Sequence, residues 1–419
     1  MTDTLAQWLK RLESGHPKSI DLGLERCARV YQSMGAPRPG PRVFTVAGTN
    51  GKGSVVAYIC AILGAAGYRH GSFTSPHLFE FNERMQIMGQ AVESEKIIAA
   101  FERTEQARNG VSLTYFEFTA LAAFDLMQRS QLDIAVLEVG LGGRLDTVNL
   151  VDPDCAVITP VGMDHQEYLG TDRESIGTEK AGIMRAGIPL ICGDRDPPSS
   201  IFAKAETLHS SVAVLGRDFD VSGADGKQVL NLGTERLGIP GSPMAGRHQV
   251  DNLATAVAAV HSLLPGALED SHRWRQAVQA TRLPGRMSPS QFDRRVILDV
   301  GHNPMAAEAV ATQLSSRPSG AVHCVIAMLN DKDVENVARL LGGVVDHWYC
   351  AGLEGERGQS GSNLACRIFK AVPESGIREF DSVARALEEA GRVAGEDELI
   401  LVFGSFQTVA LAMRWLRPA

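Results

Sequence analysis

Val43-Phe44-Thr45-Val46-Ala47-Gly48-Thr49-Asn50-Gly51-Lys52-Gly53-Ser54 decides how the rest of the chain is read. Four of its first five residues are β-branched or aromatic, which suits a buried strand. The apolar run from Val55 to Leu63 suits a helix of about three turns. Between them lie three glycines, Lys52 and Ser54. Glycines let the backbone curl so that several N–H groups face one anion, and the helix start adds partial positive charge. Lys52 would supply a mobile cation for outer phosphates, and Ser54 a hydroxyl near a magnesium ion. A phosphate loop usually has Ser or Thr directly after the Lys, and here Gly53 intervenes. On pattern alone the stretch is either a phosphate loop or a plain glycine-rich turn.

Working outward, the 419 residues exceed one ordinary core and fit two or three domains. A hydrophobic fraction of 44% and a charged fraction of 21% are those of a soluble globular enzyme. A net charge of −8 gives no electrostatic case for nucleic acid or anionic membrane, so any anion must be held by a local site. The seven cysteines lie singly, which argues against a disulfide framework or structural zinc and for a reducing compartment. The N-terminus lacks a signal-peptide pattern, and no apolar run reaches the roughly 18 residues of a membrane span. A cytoplasmic, monomeric protein is expected.

Leu5, Trp8, Leu9 and Leu12 predict an amphipathic first helix, followed by a polar loop through Asp21 into a second. Tyr68–Thr74 predicts a short strand, and residues 92–109 and 116–130 predict helices. Leu132–Gly140 reads as an apolar strand with Glu138 near its carboxyl end, facing either a satisfied network or a bound cation. Cys155–Thr159 is the next strand, and His165 follows it. Lys180 sits on a helix closed at Gly187-Ile188-Pro189, and from the residues alone it reads as a solvated surface lysine. Residues 210–245 predict short antiparallel strands, Arg247 opens an Ala-rich helix, and Leu283–Pro289 has a linker's Pro and Gly content. Beyond it, strands at about 295–300, 321–327, 346–350 and 398–403 alternate with helices, which predicts a smaller α/β domain with an open sheet. A cleft between two such domains is the natural meeting place for two substrates.

Taken together, Gly48–Ser54, Thr74-Ser75-Pro76-His77, Glu138–Asp146, Gly162-Met163-Asp164-His165, Glu179–Gly182, Leu283–Arg286 and Asp299–Pro304 resemble, in order, the motifs of the folylpolyglutamate synthase family. That family lies within the larger Mur ligase group, and the likeness covers nearly the whole chain. The odd spacing after Lys52 is the family's own form. The resemblance implies an α/β chain: an N-terminal P-loop NTPase-like domain, 1–285, and a smaller C-terminal Rossmann-like α/β domain, 290–419, on the glutamate side. It implies an ATP-dependent amide ligase that phosphorylates a carboxylate and lets the amine of L-glutamate attack the acyl phosphate. Thr49, Asn50, Gly51, Lys52, Gly53, Ser54, Asn252, Arg286 and Asp299 match nucleotide contacts. Ser75, Glu138 and His165 match metal ligands for two Mg²⁺ ions; a histidine ligand suggests that Mn²⁺ is also accepted. Lys180 matches a lysine carbamylated to N6-carboxylysine, which reverses its surface reading. His302 and Ser405 match residues expected to order glutamate, with His302 catalytic beside Lys52 and Lys180.

Substrate choice rests on a second layer of the resemblance. Asp21-Leu22-Gly23, Thr114-Tyr115-Phe116-Glu117 and Leu145-Asp146-Thr147 resemble the dihydropteroate-binding stretches of bifunctional members. An aromatic pair beside a carboxylate suits a flat heterocycle, although helix packing would equally explain Tyr115 and Phe116. The expected substrates are ATP, L-glutamate, dihydropteroate and tetrahydrofolate; the alternative is a monofunctional folylpolyglutamate synthase. A ligase for UDP-muramyl peptides would need a further domain ahead of Val43, and the residues there leave no room. A regulatory NTPase would not need a glutamate-recognising domain. A folate carrier without chemistry would leave Lys52, Glu138 and His165 unexplained. If the bifunctional expectation holds, Asp21→Ala harms turnover of dihydropteroate more than of tetrahydrofolate; equal losses in paired assays would contradict it.

Overall fold

Val43 to Ala47 are all buried, so this run needs neighbours on both edges and both faces. A computed structural model, describing residues 3–18, 20–223, 228–316, 320–373 and 375–417, supplies them. The chain divides into two compact units. The first comprises Met1–Val161, Glu167–Pro243 and Gln249–Thr281; the second comprises Gly162–Gln166, Met244–His248 and Arg282–Ala419.

The first unit begins with α1 (Leu5–Glu13), where the Thr4 hydroxyl accepts from the Gln7 N–H, and α2 (Glu25–Ser33). Then come β1 (Arg42–Ala47), α3 (Lys52–Ala65), β2 (His70–Phe73), the edge strands β3 (Met85–Ile87) and β4 (Gln90–Ala91), α4 (Ser94–Arg108), α5 (Tyr115–Arg129), β5 (Ile134–Glu138) and β6 (Cys155–Ile158). The short α6 (Gln166–Leu169), α7 (Arg173–Ala181), β7 (Leu190–Cys192), α8 (Ser199–Leu208) and β8 (Val212–Val214) follow. These strands order as β4-β3-β2-β5-β1-β6-β7-β8, and only the β2-β3-β4 edge is antiparallel. β1 lies between β5 and β6, so the loops after all three open at one carboxyl edge. A separate antiparallel sheet joins β9 (Phe219–Ser222), β10 (Gln228–Leu232) and β11 (Glu235–Ile239). The helices α9 (Arg247–Leu263) and α10 (Ser271–Ala280) complete this part of the chain.

In the second unit, β12 (Ser288–Pro289), β13 (Val296–Asp299), β14 (Val322–Ile326), β15 (His347–Ala351), β16 (Gly376–Phe380) and β17 (Leu399–Phe403) order as β12-β13-β17-β14-β15-β16. Only β12 is antiparallel to its neighbour. The intervening helices are α11 (Pro304–Ser315), α12 (Val334–Leu341), α13 (Gly361–Ala371), α14 (Val383–Val393) and α15 (Phe406–Leu416). Trp348, Phe403, Leu364, Ile368 and Leu341 anchor a core on one face of the sheet.

Four expectations need correction. α7 stops at Ala181 with Gly182 as its cap, well before Gly187. β8 extends the parallel sheet, because Val212-Ala213-Val214 pairs with β7; the antiparallel pairing expected over 210–245 is found, among the described residues, in β9 to β11. Leu283–Pro289 is no free linker: Gly285 N–H donates to Ser288 Oγ at 2.8 Å, and Ser288-Pro289 pairs with β13. Lys180 is buried, not solvated, because it lies on the inner face of the last turn of α7.

Gly48 and Gly51 carry the geometry after β1. A Cβ on Gly48 (φ 140°) would lie 1.8 Å from Thr159 Oγ1 and 2.9 Å from the Thr159 nitrogen. Gly48→Ala should therefore lower the urea midpoint by the equivalent of about 2 kcal/mol or more. Adding Thr159→Ala should not restore it, since the backbone nitrogen still blocks the methyl. An unchanged midpoint would contradict the packing described.

Candidate active site

The turn from β1 into α3 is built around closely approached glycines. Gly51 (φ 93°) caps α3 without any side-chain cap, and a Cβ there would lie 2.4 Å from Asn252 Oδ1. The buried Asn252 side chain donates to Gln249 Oε1 at 3.1 Å, which fixes its carbonyl oxygen against Gly51. Lys52 Nζ donates to the carbonyls of Gly48 at 3.2 Å and Thr49 at 3.0 Å. Lys180 Nζ donates to Gly48 O at 2.8 Å from the other side. Two ammonium groups thus converge on one glycine. Ser54 Oγ is buried and hydrogen-bonds no described residue. An orphaned hydroxyl in the first turn of this helix fits the oxygen ligand that a magnesium–nucleotide complex takes from such a loop.

At the end of β5, buried Glu138 accepts from the Ser75 N–H at 3.1 Å, so two expected metal ligands adjoin. Among the described residues no three His, Cys, Asp or Glu side chains gather into a protein-only metal cage. Magnesium typically takes one or two carboxylates and shares the rest of its shell with phosphate and water, and that donor set is the one found here.

The expected pterin stretches meet through two residues that the sequence reading passed over, Arg26 and Cys27. Arg26 donates to Asp21 Oδ2 at 2.7 Å and to the Asp21 carbonyl, and it holds Glu117 through both oxygens at 2.6 and 3.0 Å. The Cys27 thiol donates to Glu117 Oε1 at 2.8 Å, and Thr147 Oγ1 donates to Cys27 Sγ at 3.6 Å. Thr114 N–H adds a further bond to Glu117 Oε2 at 2.7 Å, closing a capping box at the start of α5. Glu117 accepts four donors, which fills its lone pairs. These bonds fix Glu117 between α2 and the start of α5, beside the other expected pterin residues. Burial would raise the Asp21 pKa, but Lys18, Arg26 and His16 outweigh it and hold the group low.

Asp146 accepts from Leu141 N–H at 2.8 Å and Val148 N–H at 2.9 Å, and complete burial pushes its pKa up to about 6 despite those bonds and Lys52. Leu145 beside it is half-buried, as are Leu22 and Gly23. Phe116 packs against Phe73 at 5.9 Å and lies so close that a Cβ on Gly140 would meet its ring at 2.5 Å. Tyr115 meets Phe81 edge-on at 6.2 Å. Both readings of the aromatic pair thus have a footing: the rings pack, and both remain half-buried.

The second unit carries a separate charged cluster. Asp164 pairs with Lys332 Nζ at 2.6 Å and His302 Nε2 at 3.3 Å and accepts from Asn303 Nδ2 at 3.0 Å. Burial would raise the Asp164 pKa, but His302, His165 and Lys332 hold it well below the usual carboxylate range. His165 (φ 51°) has Nε2 3.4 Å from Lys332 Nζ, and its N–H donates to Asp164 Oδ1 at 2.9 Å. At the end of β13, Asp299 accepts from Met287 N–H at 2.9 Å and Gly301 N–H at 2.7 Å; burial raises its pKa against the pull of Arg286. Arg286 lies over Phe406 at 5.1 Å. Ser405 caps α15, accepting from Thr408 N–H at 3.0 Å, with its hydroxyl 2.7 Å from Thr408 Oγ1. Thr408 in turn donates to Ala327 O at 2.6 Å, so capping accounts for the Ser405 hydroxyl.

Lys332 is the clearest residue the sequence reading missed. Its signal was Asn330-Asp331-Lys332-Asp333, a charged run just beyond β14. Arg26 gave no such signal, since a single arginine at a helix start is ordinary.

Residues 46–260 match the Mur ligase middle domain, and residues 285–406 match the Mur ligase, glutamate ligase domain. The chain is 42% identical over 413 residues to the dihydrofolate synthase/folylpolyglutamate synthase of Escherichia coli (strain K12), covering 98% of this chain and 94% of the relative. It superimposes on E. coli FolC in complex with DHPP and ADP with a TM-score of 0.92 and 41% identity, covering 98% and 97% of the two chains. It is also similar to the bifunctional folylpolyglutamate synthase/dihydrofolate synthase of Yersinia pestis CO92 complexed with AMPPNP and Mn ion, with a TM-score of 0.89, 40% identity and coverage of 99% and 98%. The chain therefore belongs to the Mur ligase family, in its dihydrofolate synthase/folylpolyglutamate synthase branch of ATP-dependent ligases.

Proposed function

We propose that the protein joins L-glutamate to dihydropteroate, making dihydrofolate, and adds further glutamates to folates at the same site. The observation that carries this is the coexistence, in one unit, of a glycine-cradled phosphate loop with the orphaned Ser54 hydroxyl and of the Asp21–Arg26–Glu117 network. The first supports phosphoryl transfer; the second supports a shaped site for the pterin.

In the first step a substrate carboxylate oxygen attacks the γ-phosphorus of ATP, the bond to the β-phosphate oxygen breaks, and ADP leaves. Thr49 to Ser54 and Asn252 hold the phosphates, with Lys52 swinging from the Gly48 and Thr49 carbonyls to the outer phosphate. Such transfers are catalysed by positioning and charge neutralisation. Two Mg²⁺ ions, held by Ser75, Glu138, His165 and the phosphates, would supply that neutralisation. Lys180, carbamylated to N6-carboxylysine, would exchange its positive charge for a carboxylate able to help hold a second metal ion, while keeping one N–H. In the second step the glutamate amine attacks the acyl carbon, the carbon–oxygen bond breaks, and phosphate leaves with the substrate's oxygen.

Asp21, Leu22, Gly23, Thr114, Tyr115, Phe116, Glu117, Leu145, Asp146 and Thr147 form the pterin side, with Thr114 and Glu117 tied into the start of α5. His302, held by Asp164, and Ser405, at the start of α15, order the incoming glutamate. Arg286 and Asp299 contact the nucleotide. Residues 1–285 then form the ATP and pterin domain and 290–419 the glutamate domain of a cytoplasmic monomer. Among the described residues no helix is long and apolar enough to cross a membrane.

Phosphate release from ATP with magnesium tests the proposal. Release should require L-glutamate and should occur with dihydropteroate and with tetrahydrofolate. Release indifferent to glutamate would overturn the ligase assignment, and release with tetrahydrofolate alone would leave a monofunctional synthase. Lys52→Ala and Glu138→Ala should each cut turnover by about 100-fold or more while thermal unfolding stays near wild type.

A further inference from the structure

Arg84 closes the short helical turn Phe81–Arg84 and is only 9% exposed. Buried arginines are ordinarily paired with a carboxylate. This one is not. Its Nε donates to His77 Nδ1 at 2.9 Å, and its guanidinium lies 5.3 Å from the Tyr115 ring centre and 5.6 Å from that of Phe81. Its Nη1 and Nη2 hydrogen-bond no described residue.

The nearest acids do not account for it. Glu83 spends its oxygens on the N–H groups of Leu78, Phe79 and Glu80 at 2.7, 2.8 and 2.8 Å. Glu138 feels the Arg84 charge and accepts from the Ser75 N–H at 3.1 Å. A planar fork with its Nη1–Nη2 edge idle is therefore held by His77 and two aromatic faces. It sits next to Tyr115 of the proposed pterin site and within the electrostatic reach of Glu138, a proposed metal ligand.

We propose that Arg84 binds the substrate carboxylate that becomes the acyl phosphate. This rests on the function proposed above and adds a residue to it. A benzoate-type carboxylate matches the geometry of the fork, because two parallel N–H···O bonds bring both oxygens into one plane. An aromatic amide-forming acid also suits the neighbouring Tyr115 face. Arg84 would hold the carboxylate beside Glu138 and its metal, where one oxygen can be presented to the γ-phosphorus. Lysine would offer the charge without the planar fork.

Binding measurements on the full chain test this with three probes: dihydropteroate, the same dihydropterin lacking the benzoate carboxyl, and AMPPNP with magnesium. The wild-type protein should prefer dihydropteroate over the decarboxylated compound by about tenfold or more. Arg84→Gln should bring that ratio close to one while AMPPNP binding changes by less than about twofold, and Arg84→Lys should recover only part of the ratio. A preserved ratio in Arg84→Gln would overturn the inference. So would parallel weakening of all three probes, which a purely structural arginine predicts. So would weakening of AMPPNP alone, which would make the partner a phosphate. If wild-type protein neither binds dihydropteroate nor releases phosphate with it, the proposed function itself fails and takes this inference with it.

Discussion

Two backbone positions, Gly48 and Gly51, have neighbours where a side chain would have to be. Thr159 at the end of the next strand fills the space above Gly48, and Asn252 from α9 fills that above Gly51. The loop between them is consequently a bare backbone pressed from behind by two other elements. That pressure gives its N–H groups a fixed aim, which mobile glycines alone would not. The parallel sheet serves the same end. Having β1 between β5 and β6 puts Lys52, Glu138 and the chain beyond Ile158 at successive carboxyl ends. The local charge then follows from the loop. Lys52 and Lys180 both donate to Gly48 O, so the cations are stored on the turn that is to receive an anion.

Buried ion pairs around the site do little for net stability, because taking both partners out of water consumes most of what their attraction returns. Their value lies in geometry. Arg26 ties the Asp21 loop to α5, and Cys27 ties α2 to Thr147, so residues distant in sequence become one surface. In the second unit Asp164 plays the corresponding part, gathering Lys332, His302 and Asn303. Arg84 stands apart from both groups, as a buried cation whose strongest bonds remain to be made.

Much of this was legible before any coordinates. β1, the phosphate loop and α3 follow from the 43–63 pattern, and the β–α alternation after residue 290 was plain from apolar runs between helical stretches. Short strands were not legible: β3 and β4 span only three and two residues, β16 is largely polar, and all are defined by the neighbours they pair with. The same holds for polar partners. Lys180 looked solvated because one lysine on a polar helix gives no sign of the carbonyl it will meet across 132 residues. Nothing local to Glu117 announces that Arg26, 91 residues earlier, will pair with it. Periodicity reports which face is buried, but it does not report who waits there.

The central claim is that the substrate carboxylate itself is phosphorylated on this loop. Dihydropteroate labelled with ¹⁸O in its carboxylate, turned over with ATP and L-glutamate, tests that directly by mass spectrometry of the released phosphate. Attack of the glutamate amine on an acyl phosphate predicts one ¹⁸O atom in each phosphate formed. Unlabelled phosphate accompanying dihydrofolate formation would contradict the account.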